Sequence, residues 1–123
     1  MTKERLDLGR QGETLALKKI KSIGYECIAS NYRCPLGEVD LIAKDGDTIV
    51  FIEIKTRKGR SLGYAKEAIH ARKRRQISKV ALAFLKNNGL LGNKARFDVV
   101  AIQMGEGGAE IELVKNAFDL AYE

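Results

Sequence analysis

The stretch from residue 37 to residue 55 reads Gly37-Glu38-Val39-Asp40-Leu41-Ile42-Ala43-Lys44-Asp45-Gly46-Asp47-Thr48-Ile49-Val50-Phe51-Ile52-Glu53-Ile54-Lys55. Two runs of alternating polar and apolar residues flank Asp45-Gly46. Alternation at period two marks strands, and Asp-Gly between such runs is a strong hairpin signal. Val39, Leu41 and Ala43 form one apolar row, and Val50, Ile52 and Ile54 form another. The complementary rows carry Glu38 and Asp40, then Phe51, Glu53 and Lys55. With Asp45-Gly46 as a two-residue loop, Lys44 pairs with Asp47, Asp40 lies opposite Phe51, and Glu38 lies opposite Glu53. Asp40 and Glu53 are then diagonal neighbours on one face, with Cα atoms roughly 7–8 Å apart. A three-residue loop would reverse this parity unless a bulge restored it.

Like charges facing one another destabilise a sheet. The arrangement therefore calls for a bound cation or shifted pKa values. Two carboxylates at that separation suit a hard divalent cation with oxygen ligands, as Mg²⁺ is held beside phosphate substrates. The plainer alternative is a solvated face on which Glu53 and Lys55 pair with neighbours. Spacing alone leaves both open.

A chain of 123 residues suits one domain with one core. Its apolar fraction of 45% and charged fraction of 31% are those of a globular protein with a wet surface. No apolar run approaches a membrane span, and no h-region follows Met1-Thr2-Lys3-Glu4-Arg5, so a cytoplasmic protein is expected. Cys27 and Cys34 lack the spacing of a zinc site and are expected as reduced thiols. His70 is the only histidine, which excludes multi-histidine metal sites and disfavours Ser-His-Asp chemistry. Net charge is +6, yet Lys55 to Lys79 holds ten Lys or Arg against one acid, Glu67. Such a block marks a phosphate-rich partner or, more plainly, a solvated helix face. Its closeness to the carboxylates favours nucleic acid.

The remaining elements follow in order. A helix is expected from Asp7 or Gly9 to Ile23, stopped by Gly24. Ala16, Leu17, Ile20 and Ile23 form its apolar stripe, into which Glu13 projects. Glu13 either overhangs the charged face of the hairpin or interacts with the helix N-terminus. Tyr25 to Arg33 reads as a strand, and Pro35 with Gly37 makes the turn into the hairpin. Lys58 to Tyr64 is a basic, glycine-containing loop without a Walker pattern, so no nucleotide cofactor is expected. A second helix spans Ala71 to Asn88, with Ile77, Val80, Ala81, Phe84 and Leu85 as its stripe. Arg72, Lys73, Arg74, Arg75 and Lys79 crowd its first half, against the macrodipole, where bound phosphate would be favoured. Ala95 to Gln103 is an apolar strand, Ala109 to Val114 a short one, and Asn116 to Tyr122 one or two helical turns. The order α-β-β-β-α-β with an appended strand gives a mixed sheet with helices packed on it.

These residues carry a resemblance. Asp40 followed by Glu53-Ile54-Lys55, on the second and third strands of such a core, resembles the PD-(D/E)XK nuclease superfamily. The chain is most similar to the bacterial YraN-type (UPF0102) family in its Holliday-junction-resolvase-like branch. The matching stretches are Leu8-Gly9-Arg10-Gln11-Gly12-Glu13, Asn31-Tyr32-Arg33, Gly37 to Ala43, Val50 to Lys55 and Arg96-Phe97-Asp98-Val99-Val100, which together span nearly the whole chain. Val39 stands where the superfamily name has proline. The resemblance implies a single nuclease-like domain over residues 1–123 with a restriction-endonuclease-like αβββαβ core. It further implies Mg²⁺, or Mn²⁺ in its place, on Asp40, Glu53 and the Ile54 carbonyl. Lys55 would act on the attacking water, and Glu13 would contact the metal directly or through water. Glu38 matches a family position without an assigned role. The implied activity is hydrolysis of phosphodiester bonds in DNA, selective for junction or branched structures. Arg57, Lys58, Arg60, Arg72, Lys73, Arg74, Arg75 and Lys79 would form the nucleic-acid face. A junction resolvase would be a two-fold homodimer, because symmetric cuts need two sites. Fold alone does not make an enzyme. A nucleic-acid-binding module with a vestigial or assembly-dependent site, and a basic cytosolic scaffold, are the alternatives from other classes.

Overall fold

Asp45 and Thr48 close the hairpin as a pair, so the loop is Gly46-Asp47 rather than Asp45-Gly46. Gly46 takes a φ of 60° while Asp47 stays at negative φ, the pattern of a type II′ turn with glycine first. The register runs Lys44↔Ile49, Ala43↔Val50, Ile42↔Phe51 and Leu41↔Ile52. This corrects the expected pairing by two residues. A two-residue shift preserves parity, so it does not exchange the two faces. The choice between the turns is made from outside the hairpin. Arg96 Nη2 donates to Asp45 Oδ2 at 2.8 Å, and Asn93 Nδ2 donates to the Asp47 carbonyl at 3.2 Å.

The computed structural model describes residues 3–58 and 71–118. Arg60, His70, most of the expected glycine-containing loop and residues 119–123 lie outside them. The elements are α1 (Lys3–Ser22), β1 (Glu26–Cys34), β2 (Gly37–Asp45), β3 (Thr48–Lys58), α2 (Ala71–Asn87), β4 (Ala95–Gly105) and β5 (Gly108–Phe118). The sheet order is β1-β2-β3-β4-β5, antiparallel throughout except for β3 and β4. A parallel pair needs a crossover, and α2 lies on it. The result is a small α/β domain whose five-stranded mixed sheet carries a helix on each face, consistent with a restriction-endonuclease-like core.

Each helix covers one face for a reason visible in its spacing. Ile77, Val80, Ala81, Phe84 and Leu85 fall at helical intervals and pack on Ile42, Ile49, Phe51, Phe97 and Val99. Ala16 and Ile20 of α1 pack on Leu41, Ala43, Val50, Ile52, Val100 and Ile102. The α1 helix also presses close to β3. A Cβ on Gly12 would lie 2.1 Å from Thr56 Oγ1, so only glycine lets the backbone approach.

Two other expectations need correction. The first helix begins at Lys3, before Asp7. The last strand reaches Phe118, so Asn116 to Phe118 are strand rather than helical turn. Phe118 stacks on Phe97 with centroids 4.8 Å apart, and the Asn116 amide donates to Asp98 Oδ1 at 3.0 Å. These anchors hold the chain to the sheet past an Asn116 at φ 55°.

Asp98 is fully buried and centres a polar knot at the turn end of the hairpin. It accepts from Arg96 Nε at 3.0 Å and from the Tyr25 hydroxyl at 2.8 Å. Burial, then Asp98, pushes the Tyr25 phenol up to about 12. Removing Asp98 leaves the buried Tyr25 hydroxyl and the Asn116 backbone amide without their acceptor and Arg96 with Asp45 as its ion-pair partner. Asp98→Ala is therefore expected to cost about 3–5 kcal/mol of stability. Urea denaturation of wild type and variant checks it, and a loss near zero would show the knot to be dispensable.

Candidate active site

The β2–β3 ladder is regular up to Leu41↔Ile52. The paired ladder ends there, and Asp40 and Glu53 are the next residues on the two strands, near enough for Asp40 to act on the Glu53 carboxyl. Asp40 Oδ2 accepts the Ile54 amide at 2.8 Å. Strand alternation breaks at this place. Val39 and Ile42, three residues apart, pack into the same core, as do Ala29 and Tyr32 across the sheet in β1. Between the latter two, Asn31 takes a φ of 52°. Asparagine is among the few residues that tolerate this conformation. The kink also explains why Val39 leaves the apolar row of Leu41 and Ala43.

The Asn31 side chain donates to Glu13 Oε1. Glu13 on α1 is thus tied to β1 at the kink. Asn31 was expected only as part of a family match. Its legible signal was an asparagine inside an otherwise strand-like run.

Glu53 is only 5% exposed, and its Oε1 is buried with no hydrogen-bond partner. A buried unpaired carboxylate oxygen is costly unless something charged meets it. Burial first, then the neighbouring Asp40, pushes the Glu53 carboxyl up to about 8, against the pull of Lys73 and Lys55. Lys55 is half-buried, two residues beyond Glu53 on the same strand. Among the described residues, no three acids, histidines or cysteines converge on one point, and Glu13 Oε1 accepts from Asn31. Two carboxylates with one orphaned buried oxygen fit a hard cation that takes its other ligands from water, a backbone carbonyl or a phosphate.

Glu38 does not face Glu53. Its carboxylate pairs with Arg33 at 3.0 Å, and both side chains are more than half exposed. The shifted β2–β3 register takes Glu38 away from Glu53, and the β1–β2 register sets it opposite Arg33.

The cations gather at the same end of the sheet. Arg57 and Lys58 finish β3, while Arg72, Lys73, Arg74 and Arg75 open α2, with Lys79 about one turn further on. Arg72, Arg75 and Lys79 are exposed; Lys73 and Arg74 are half-buried. Arg74 lies over the Phe118 ring, 5.5 Å from its centroid. A crevice of about 310 Å³, lined by Arg33, Cys34, Gly37, Glu38, Lys73 and Gln76, opens beside the β1–β2 turn. A larger cavity of about 1000 Å³ lies between α1 and the β4–β5 turn, near Leu15 and Met104, and neither Asp40 nor Glu53 is among its lining residues. No described helix is long and apolar enough to cross a membrane.

The raised Glu53 pKa has a signed consequence. In metal-free protein the folded state keeps a proton that the unfolded chain releases above its ordinary value of 4.5. Stability then falls as pH rises from about 4.5 to about 8. Glu53→Gln removes this slope. In chelator it is expected to melt several degrees above wild type at pH 8, a difference on the order of 1–3 kcal/mol, and to converge with it near pH 5. Melts across pH 5–9 check this; a variant less stable than wild type at every pH would make Glu53 an ordinary ion-pair partner.

Comparison with known proteins matches residues 12–102 to the model of "Uncharacterised protein family UPF0102". A UPF0102 protein of Syntrophus aciditrophicus (strain SB) is 44% identical over 119 residues, covering 97% of this chain and 94% of that protein. One from Geotalea uraniireducens (strain Rf4) is 49% identical, covering 94% and 91%. One from Moorella thermoacetica is 41% identical, covering 96% of this chain and all of the relative. Matched along nearly its whole length by these relatives and over most of it by the family model, the chain belongs to the UPF0102 family.

Proposed function

We propose that the protein is a Mg²⁺-dependent nuclease of the cytoplasm that hydrolyses phosphodiester bonds in DNA, with preference for branched or junction structures. The observation that carries this reading is the orphaned, nearly buried oxygen of Glu53 beside Asp40, at the end of the sheet where the cations gather. Asp40, Glu53 and the Ile54 carbonyl would hold the ion, and Mg²⁺, or Mn²⁺ in its place, would supply a Lewis acid for a phosphoryl oxygen and an acidified water.

The chain's own residues supply the rest. The Ile54 amide fixes Asp40 by its hydrogen bond. Lys55 presents a compact charge to the negative charge that develops at phosphorus. Arg72 and Arg75, exposed at the start of α2, contact backbone phosphates with little regard to sequence. Glu13, held by Asn31, buttresses the kink next to Asp40 and would contact the ion through water.

Cleavage of duplex, flap, four-way junction and single-stranded DNA, with Mg²⁺, Mn²⁺ or chelator, tests the reading. Branched substrates are expected to be cut only with metal. Lys55→Ala is expected to retain Mg²⁺ binding and lose turnover at least a hundredfold, as removal of one transition-state charge contact does. Binding without cleavage by folded wild type on every substrate would make the protein a nucleic-acid-binding module instead.

The basic face gives a separate expectation. Replacing Arg72 and Arg75 together by Gln should lower the slope of log affinity against log salt by about 2, since each phosphate contact on duplex DNA contributes roughly 0.9. Anisotropy titrations between 50 and 200 mM salt check it, and an unchanged slope would place the binding face elsewhere.

A further inference from the structure

The stretch Arg10-Gln11-Gly12-Glu13-Thr14-Leu15 serves three ends at once. Gly12 lets α1 rest on Thr56, and Glu13 is tied to Asn31 at the kink. Arg10, Gln11, Thr14 and Leu15 fall at i, i+1, i+4 and i+5, so they share one face of the helix. All four line the cavity of about 1000 Å³ beside the β4–β5 turn. Strands form the opposite wall. Lys58 pairs with Met104, and Met104 pairs with Ala109, so the three stand in a row across β3, β4 and β5. Met104 is two residues beyond the buried Ile102, which packs with Ala16 and Ile20, so the row lies on the α1 face of the sheet. The helix touches down on β3, and beside it Met104 stays half-buried and Ala109 exposed.

The walls divide by chemistry. Leu15, Met104 and Ala109 are apolar, and a methionine side chain adapts its shape to what lies against it. Arg10 and Lys58 add two exposed cations. Gln11 brings an amide that both donates and accepts. Glu106, the one acid among the described lining residues, can accept from an amino group such as that of adenine or cytosine. An apolar interior with a few polar groups is what small-ligand sites present, at volumes up to roughly 1,000 Å³. A flat apolar body with hydrogen-bonding edges and an attached phosphate matches each part of this lining. A paired nucleotide keeps its base stacked and its edge occupied, whereas an unpaired one offers both. We propose that the cavity holds an unpaired nucleotide of a branched nucleic acid, with its base against Leu15 and Met104 and its phosphate at Arg10 and Lys58. Lys58 is three residues beyond Lys55 on β3, roughly 10 Å at the rise of a strand, so one substrate reaches both the cavity and the end of the sheet where the cations gather. The proposal rests on the nucleic-acid reading above and gives its preference for branched over duplex DNA a structural origin.

Fluorescence and anisotropy titrations of the full chain in chelator test this without any turnover. The probes are a duplex with a short single-stranded flap whose first unpaired base is 2-aminopurine, and a fully paired duplex with the same base. Wild type is expected to raise the flap fluorescence severalfold, as the base leaves its stacked neighbours for an apolar cavity, and to leave the duplex signal unchanged. It should bind the flap about fivefold or more tightly than the duplex. Thr14→Glu and Ala109→Glu each place an acid in the cavity at an exposed position. Each should abolish the fluorescence rise and bring flap affinity within about twofold of duplex affinity. Thermal melts of both show which is folded, and either one alone decides. Lys21→Gln makes the same unit change of charge on exposed α1 surface, seven residues from Thr14 and outside the cavity lining, and should keep both properties. A flap preference that survives in the folded glutamate variants, or no fluorescence rise in wild type, would overturn the proposal, and metal-dependent cleavage would still leave the nuclease standing. A fluorescence rise without cleavage under either metal would uphold the cavity and remove the nuclease. Self-association of wild type in sedimentation that either glutamate abolishes would show that a second copy covers the cavity, and would overturn the proposal too.

Discussion

The closeness of Asp40 to the buried Glu53 is the constraint around which the rest is arranged. Two neighbouring carboxylates on adjacent strands repel, and burial of Glu53 deepens the penalty. A fold that merely sought stability would place an apolar pair there, as it does one step earlier with Leu41 and Ile52. Instead the ladder stops, Asp40 turns to the Ile54 amide, and Glu53 keeps one oxygen without a partner. Conflicts of this kind between local stability and arrangement are the mark of functional sites.

The two ends of the sheet treat charge in opposite ways. At the turn end of the hairpin, Asp98, Arg96, Tyr25 and Asp45 satisfy one another through short hydrogen bonds. Every buried charge there has an opposite charge in contact. At the other end, acids sit inside and cations sit outside, on β3 and α2. A closed network of the first kind fixes the strands. An open one of the second kind leaves a field for a ligand to complete. The knot thereby sets the hairpin register from about five residues away along β2, because Asp45 is both a member of the knot and the last strand residue before the turn.

Periodicity made the faces of the sheet legible over Leu41 to Ala43 and Ile49 to Ile52. The register was not legible, because Asp-Gly and Gly-Asp are both good two-residue turns and the deciding partners, Arg96 and Asn93, lie some fifty residues further on. Parity survived the error because the shift was even. The stripe of α2 was readable residue by residue, since its surface partners are all apolar. Glu13 was readable as an anomaly, but its partner was not. A left-handed asparagine within a strand leaves no periodic trace, and it moved Val39 across the sheet as well. Glu38 was misplaced opposite Glu53 by the same register error, and its actual partner, Arg33, is set by the β1–β2 pairing, which the hairpin pattern does not encode. The end of β5 was missed because Phe118 finds its stacking partner, Phe97, on another strand.

The missing Cβ of Gly12 has a consequence beyond packing. Gly12 is the point where α1 leans on Thr56, and Glu13 is the next residue. The helix behaves as a lever whose fulcrum is a single hydrogen atom. A methyl group there would meet Thr56 Oγ1 at 2.1 Å, so either that side chain turns away or the helix shifts, carrying Glu13 relative to Asn31, the residue that bends β1 beside Asp40. The spacing between a helix and a strand is in this way converted into the aim of a carboxylate on a third element. Evolution can therefore retune the site through position 12 or position 56 without altering any residue that bears a charge.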